Sequence, residues 1–158
     1  MNERELLSAA DARALSYSAS LATRRVFPDA AALAGLARFD EALPVNGLPA
    51  EQTLALLDDA GSPATTVSNG PNYYGFVIGA SLPVAAAAER LMIAWDQCAS
   101  GWDNSPVSAT LERQAGRWLL EVLDLPRDST VGFGTSATAC TLSCLVTARR
   151  ELFLRQGW

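Results

Sequence analysis

The chain has 158 residues, of which 49% are hydrophobic and 18% charged, with a net charge of −5 at pH 7. This balance fits a single globular domain and excludes a disordered chain. It also provides no basic surface for nucleic acid or an anionic membrane. All twelve basic residues are arginine, so neither lysine nor histidine is present as a covalent, acid–base or metal-binding group.

The chain also lacks the signals of secretion and of disulfide bonding. Its first residues, 1–5, are charged and do not resemble a signal peptide. The weakly polar run 80–88 is too short to span a bilayer. Its three cysteines, Cys98, Cys140 and Cys144, form no CxxC pair, which predicts free thiols, no metal site and a cytoplasmic location.

The first sixty residues predict short helices joined by irregular segments. Apolar residues at three- and four-residue spacing predict a helix over 3–25. Asp29 is suited to cap a second helix that extends to Leu36. A third helix is expected over 51–60, closed by the Gly-Ser-Pro sequence that follows.

The middle of the chain predicts an extended segment and then two helices. Turn-forming residues flank an aromatic and β-branched core within 68–80, which favours a short strand. Pro83 suits the first turn of a helix that continues to about Ala99. Ser105 and Pro106 repeat this cap-and-proline pattern for the next helix. Its predicted apolar face consists of Leu111, Ala115, Trp118 and Val122.

The last part of the chain predicts a strand, a turn and a helix. The apolar strand is expected over 130–134, and the helix that follows has Leu142, Leu145, Val146 and Phe153 as its apolar face. The turn between them contains small and hydroxyl residues. First-turn amides and the helix dipole favour an anion there, and the hydroxyls of Ser136 and Thr138 add two donors. The alternative is a helix N-cap without a ligand.

A parallel strand needs neighbouring strands and helices on both faces. Because the chain offers one clear strand of this kind and at most one more, most of the sheet would be missing. We therefore expect the chain to be a fragment of a larger protein.

Three blocks of the sequence resemble the N-terminal third of the group II pyridoxal-phosphate-dependent amino-acid decarboxylases. Residues 69–80 are similar to the family's segment at the start of the large domain. Residues 95–112, which include Ser105-Pro106 and Leu111-Glu112, are similar to its "SPA…TELE" helix. Residues 135–142 resemble its phosphate-binding "TSGGSEANL" motif.

This resemblance implies an α/β fold: the N-terminal portion of an aspartate-aminotransferase-like type I fold, with a helical arm and the start of a large parallel-sheet domain. Residues 1–82 would be the arm and the substrate-side segment, and 83–158 the incomplete cofactor domain. The family forms homodimers, so the arm would pack on a partner subunit.

The resemblance also implies the site residues. Ser136, Ala137 and Thr138 align with the triplet that binds the 5′-phosphate of pyridoxal phosphate (PLP). The segment around Tyr74 aligns with the wall of the amino-acid substrate pocket, and the aligned residues are Tyr74, Phe76, Val77 and Gly79. For the aromatic residues, core packing in a strand is the competing interpretation.

The implied activity is decarboxylation of an amino acid, but the family's covalent lysine, its stacking histidine and its pyridinium-binding aspartate find no match in this chain. No catalytic residue is therefore assigned, and the chain alone is expected to be inactive. Ala139 departs from the family, which usually has an acidic residue there. Two alternatives stay open: a stand-alone helical dimerisation module, and a nucleotide-binding α/β domain, which the lack of GxGxxG disfavours.

Overall fold

The structure is a computed structural model that describes residues 1–78 and 81–158. Regular structure within these ranges is helical, and its main elements are α1 (Glu3–Ser20), α2 (Ala30–Gly35), α3 (Ala50–Leu56), α4 (Pro83–Trp95), α5 (Pro106–Val122) and α6 (Ala137–Arg155). Short 3₁₀ segments cover Leu36–Phe39 and Ser62–Ala64, and a π-helical turn covers Leu57–Gly61. The chain divides into two compact units, Met1–Ala86 and Ala87–Trp158.

The helix starts follow the capping residues of the sequence. The predicted caps Asp29 and Ser105 are confirmed: the Asp29 carboxylate accepts from Ala32 N at 2.9 Å, and Ser105 Oγ accepts from Ser108 N at 3.3 Å. Each side-chain oxygen satisfies a first-turn amide that has no helical acceptor. Helix ends were less well predicted, since α1 stops at Ser20 and α4 at Trp95.

In the first unit, Arg24 joins the end of α1 to the 3₁₀ turn at 62–64. Its guanidinium donates to the Ser62 carbonyl at 2.8 Å and to Ser20 Oγ at 2.6 Å, and lies 4.2 Å from the centre of the Tyr17 ring. The Tyr17 hydroxyl in turn lies 2.7 Å from Thr65 Oγ1. This polar network adjoins the small apolar core of the unit, where Val67 and Ala60 are each 3% exposed.

In the second unit, α5 packs through a face other than the predicted one. Gly116 and Leu120 are the buried residues of the helix, and the predicted face is open, with Trp118 62% and Val122 80% exposed. The absence of a side chain at Gly116 explains the difference. A Cβ there would lie 3.3 Å from Val131 Cβ, so the chain that returns after α5 packs closely on this glycine.

The C-terminus of α5 is closed by a residue in the left-handed region. Asp124 has φ 50°, and the next amide, Leu125 N, donates to the Leu120 carbonyl at 2.9 Å, as in a Schellman motif. Arg127 Nη1 donates to the same carbonyl at 2.6 Å. Two donors therefore satisfy a terminal carbonyl that has no amide partner within the helix.

The predicted α/β fold is wrong for the part of the chain that the structure describes, which contains helices, turns and irregular segments but no strand. Residues 130–134 run between α5 and α6 without a backbone hydrogen bond to another described segment. A strand exists only through the ladder it makes with a neighbour, and no second extended segment lies beside it among the residues described. The glycines at 132 and 134 weaken it further.

Candidate functional site

The residues of the predicted anion site lie at the N-terminus of α6. Ser136 is extended, with φ −148° and ψ 147°, and its Oγ accepts from Ala139 N at 3.1 Å. Its carbonyl accepts from Cys140 N at 3.1 Å and closes the first turn. The backbone amides of Ala137 and Thr138 come earlier in the same turn than Ala139 N and Cys140 N, and they have no hydrogen-bond acceptor among the described residues. They are the two first-turn donors that stay open to a ligand.

The local sequence explains this geometry. A serine at the N-cap fixes the chain direction into the helix, and small side chains at 137 and 139 leave the backbone exposed. Gly134, two residues before the cap, lies against the thiol of the first turn: a Cβ there would be 2.6 Å from Cys140 Sγ. A side chain at position 134 would force the thiol or the preceding segment to shift.

The donors at this terminus fit a phosphate group. Two backbone amides, Thr138 Oγ1 and the proton of Ser136 Oγ provide four hydrogen-bond donors, and the dipole of a 19-residue helix adds partial positive charge. An open cleft of about 420 Å³ lies beside them, lined by Ala137, Thr138, Thr141, Leu142 and Leu145. Chemically, these donors are suited to bind and orient an anion, and none of the four is an acid–base group at neutral pH.

The predicted substrate-side segment has an exposed, strained tip. Phe76 and Val77 have φ of 53° and 54°, which is unusual for any bulky residue and an outlier for a β-branched one. Tyr74 and Phe76 are each 92% exposed and Val77 is fully exposed. The short strand expected here is therefore wrong, and so is the core-packing interpretation of these aromatic residues. Backbone strain of this kind clusters at binding and catalytic segments.

The two parts of the predicted site lie in different compact units. The tip belongs to the first unit, and Ser136, Ala137 and Thr138 belong to the second. Gly79, the fourth predicted substrate-side residue, lies outside the described residues.

Sequence reasoning missed a second feature of α6, a groove between this helix and residues 130–134. Its volume is about 660 Å³, and its lining is mostly apolar but includes the thiols of Cys140 and Cys144. The four-residue spacing of the cysteines was the available signal, because such residues lie one above the other on one helix face. The second signal was Gly132 and Gly134 in the preceding segment, because residues without side chains leave space beside the helix.

Neither a membrane span nor a metal cluster is found where the structure describes the chain. No helix there is both long and apolar enough to cross a bilayer. Residues 1–78 and 81–158 contain no group of three or more histidine, cysteine, aspartate and glutamate side chains that is arranged to hold a metal ion.

Comparison with known proteins gives a partial similarity. No protein-family model matches the chain, and no solved structure matches it. The chain is similar to the L-tyrosine/L-DOPA decarboxylase 2 of Lophophora williamsii, with 28% identity over 127 residues. The alignment covers 76% of this chain and 24% of that protein, so the chain spans about a quarter of the length of the curated relative it matches.

Proposed function

We propose that this chain is the N-terminal part of a PLP-dependent amino-acid decarboxylase, in which it holds the 5′-phosphate of the cofactor and forms part of the substrate pocket. The observation that carries the proposal is the pair of open amides at Ala137 and Thr138, which lie in the block of sequence that resembles the family's phosphate motif. The partial sequence similarity to a tyrosine/DOPA decarboxylase also supports it.

Each residue of the site has a distinct task. Ala137 and Thr138 would donate their amides to the phosphate, and the Thr138 hydroxyl would add a charge-assisted hydrogen bond. Ser136 would orient the terminus by capping it, because its Oγ already accepts from Ala139 N. When bound, PLP supplies the electron sink that decarboxylation requires. The lysine and histidine that the family uses beside it are absent from these 158 residues.

The exposed tip suits the substrate side of the pocket. Tyr74, Phe76 and Val77 present apolar surface on a strained turn, and such groups would exclude water from an amino-acid side chain. For Gly79, a place in the substrate pocket is proposed from the sequence resemblance alone. Which amino acid is bound depends on the rest of the pocket.

Association with a partner subunit is part of the proposal. The segment that follows α2 exposes large apolar side chains, with Leu43 95% and Val45 fully exposed, and such surface is characteristic of an unoccupied interface. We infer a homodimer in which the N-terminal arm packs on the other subunit. The three free cysteines support a reducing, cytoplasmic location.

The test is binding of PLP to the full chain, measured by calorimetry beside pyridoxal, which lacks the phosphate. We expect PLP to bind and pyridoxal to bind far more weakly. Thr138→Ala should weaken PLP binding by about 1.5–3 kcal/mol, the worth of one hydrogen bond to a charged group. Thr141→Ala is the matched control, since Thr141 lines the same cleft beyond the open amides.

Equal affinity for PLP and pyridoxal would contradict the proposal, and so would equal effects of the two threonine substitutions. A chain that binds neither compound yet forms a stable dimer would favour the second candidate, a helical dimerisation module. The exposed apolar side chains of α6, with Leu142 61% and Leu145 63% exposed, are the observation that favours it.

A further inference from the structure

The groove beside α6 holds two thiols that the proposed function does not use. Cys140 and Cys144 lie four residues apart on this helix and line the same cavity of about 660 Å³. Both are free; Cys144 is exposed and Cys140 is half-buried. The groove leaves room for a small disulfide-containing molecule to reach the exposed thiol.

The two thiols are neighbours but are too far apart to bond without a change in the helix. Side chains at this spacing have Cβ atoms about 5–6 Å apart, whereas a disulfide requires about 3.5–4.5 Å. Closing the bond therefore needs a movement of the first two turns of α6. Cys140 would also leave Gly134, against which its Sγ is now packed.

This movement occurs at the anion site. Cys140 N closes the first turn on the Ser136 carbonyl, and the open amides of Ala137 and Thr138 lie inside that turn. A pull on Cys140 toward Cys144 changes the geometry of the turn that presents both amides. A disulfide between the thiols would thereby alter the same short segment that presents the open amides.

We propose that Cys140 and Cys144 form a reversible dithiol–disulfide pair that controls the phosphate site at the start of α6, an inference that rests on the proposed function of that site. The oxidant is a low-molecular-weight disulfide. The Cys144 thiolate attacks one of its sulfurs, forms a mixed disulfide and expels one thiolate. Cys140 then attacks the Cys144 sulfur, closes the intramolecular bond and expels the second thiolate. The protein loses two electrons and two protons, and the small disulfide becomes two thiols.

The coupling acts in both directions. A disulfide that requires helix distortion is strained, and strained disulfides are the readily reduced, regulatory ones. A ligand that prefers the intact first turn must stabilise the reduced pair by the same factor by which oxidation weakens its binding. Bound phosphate should therefore protect the thiols.

The experiment uses the full chain with Cys98→Ser, treated with oxidised and reduced glutathione at fixed ratios. Cys98 is removed because it is exposed, and a hydrogen bond to Ser100 lowers the pKa of its thiol. Peptide mapping after alkylation measures the bond between Cys140 and Cys144, circular dichroism measures helix content, and calorimetry measures PLP affinity. We expect the bond to form, helix content to fall, and PLP to bind about tenfold or more weakly. A reducing agent should restore all three.

Variants with Cys140→Ser or Cys144→Ser provide the controls, because neither can close the bond. Both should keep their helix content and PLP affinity in the same oxidising buffer. The proposal is overturned if oxidation yields only mixed or intermolecular disulfides, or if the bond forms without loss of helix and affinity. If the reduced chain does not bind PLP, the proposed function fails, while disulfide formation and helix loss still decide whether the pair acts on α6.

Discussion

Substitutions at Ser136 separate its role as a helix cap from the role of its neighbours as an anion site. Ser136→Ala removes the oxygen that accepts from Ala139 N at 3.1 Å. Ser136→Asp keeps an acceptor in that place, since serine and aspartate are comparable caps, and adds a negative charge. The alanine variant should therefore lose more stability, whereas the aspartate variant should lose more affinity for phosphate.

The expected magnitudes follow from the geometry of the terminus. Loss of the cap should lower the free energy of unfolding by about 1 kcal/mol. The aspartate should instead hold stability at or above the natural value, because a carboxylate at a helix N-terminus gains about 0.3–1 kcal/mol from the dipole. A phosphate beside that carboxylate meets a like charge, which at a separation of 4 Å costs about 1 kcal/mol per unit charge even in water.

The assay combines urea unfolding with PLP calorimetry on the same samples. The free energy of unfolding should be lowest in the alanine variant, and in the aspartate variant it should equal or exceed that of the natural chain. PLP affinity should instead fall most in the aspartate variant. Ser105→Ala serves as the control, because it removes the cap of α5 in the same unit and should leave PLP affinity unchanged. An aspartate variant that binds PLP as well as the natural chain would refute the placement of the phosphate at this terminus.

Three further predictions concern stability, each measured by urea unfolding. Asp124→Gly should raise the free energy of unfolding by about 0.5–1 kcal/mol, because glycine adopts the φ of 50° without strain; a loss of stability would contradict the cap assignment. Arg24→Met should lower it by about 1–3 kcal/mol by removing the guanidinium that donates to the Ser62 carbonyl and to Ser20 Oγ; an unchanged free energy of unfolding would show that this network does not contribute to stability. Gly70→Ala should lower the free energy of unfolding by about 1–3 kcal/mol, since the alanine Cβ would lie 2.8 Å from Val67 Cγ1. An unchanged free energy of unfolding would show that the turn can accommodate the methyl group without strain.

The parts of the fold that depend on a few adjacent residues could be predicted from the sequence. The caps at Asp29 and Ser105 and the start of α6 after Ser136 were identified because a cap is an interaction over three residues. The proline after Ser105 gave the first turn of α5 in the same way. These local signals do not depend on what the rest of the chain does.

The parts that depend on distant partners could not be predicted. Residues 130–134 have the apolar composition of a strand, but composition does not provide the neighbour with which a strand must pair. The packing face of α5 was misplaced because the pattern of large apolar residues ignored Gly116, where close approach requires the smallest side chain. The turn at Phe76 and Val77 was missed because bulky residues disfavour a positive φ.

The place of the candidate residues at the start of a helix was predictable, and their hydrogen bonding was less so. The sequence located Ser136 and Thr138 at the start of a helix, and the structure shows that Ser136 Oγ is engaged as a cap while the amides of Ala137 and Thr138 are open. The proposed phosphate contacts therefore depend on the backbone more than on the serine hydroxyl. The thiol pair beside them followed from no functional motif.

The most direct test of the central claim is an amide NMR titration of the ¹⁵N-labelled chain with PLP and, separately, with pyridoxal. If the phosphate binds at the start of α6, PLP should shift the amides of Ala137 and Thr138 most strongly and saturably, and pyridoxal should leave them unchanged. Shifts that are absent at these two amides, or that are equal for both compounds, would contradict the claim that this terminus holds the cofactor phosphate.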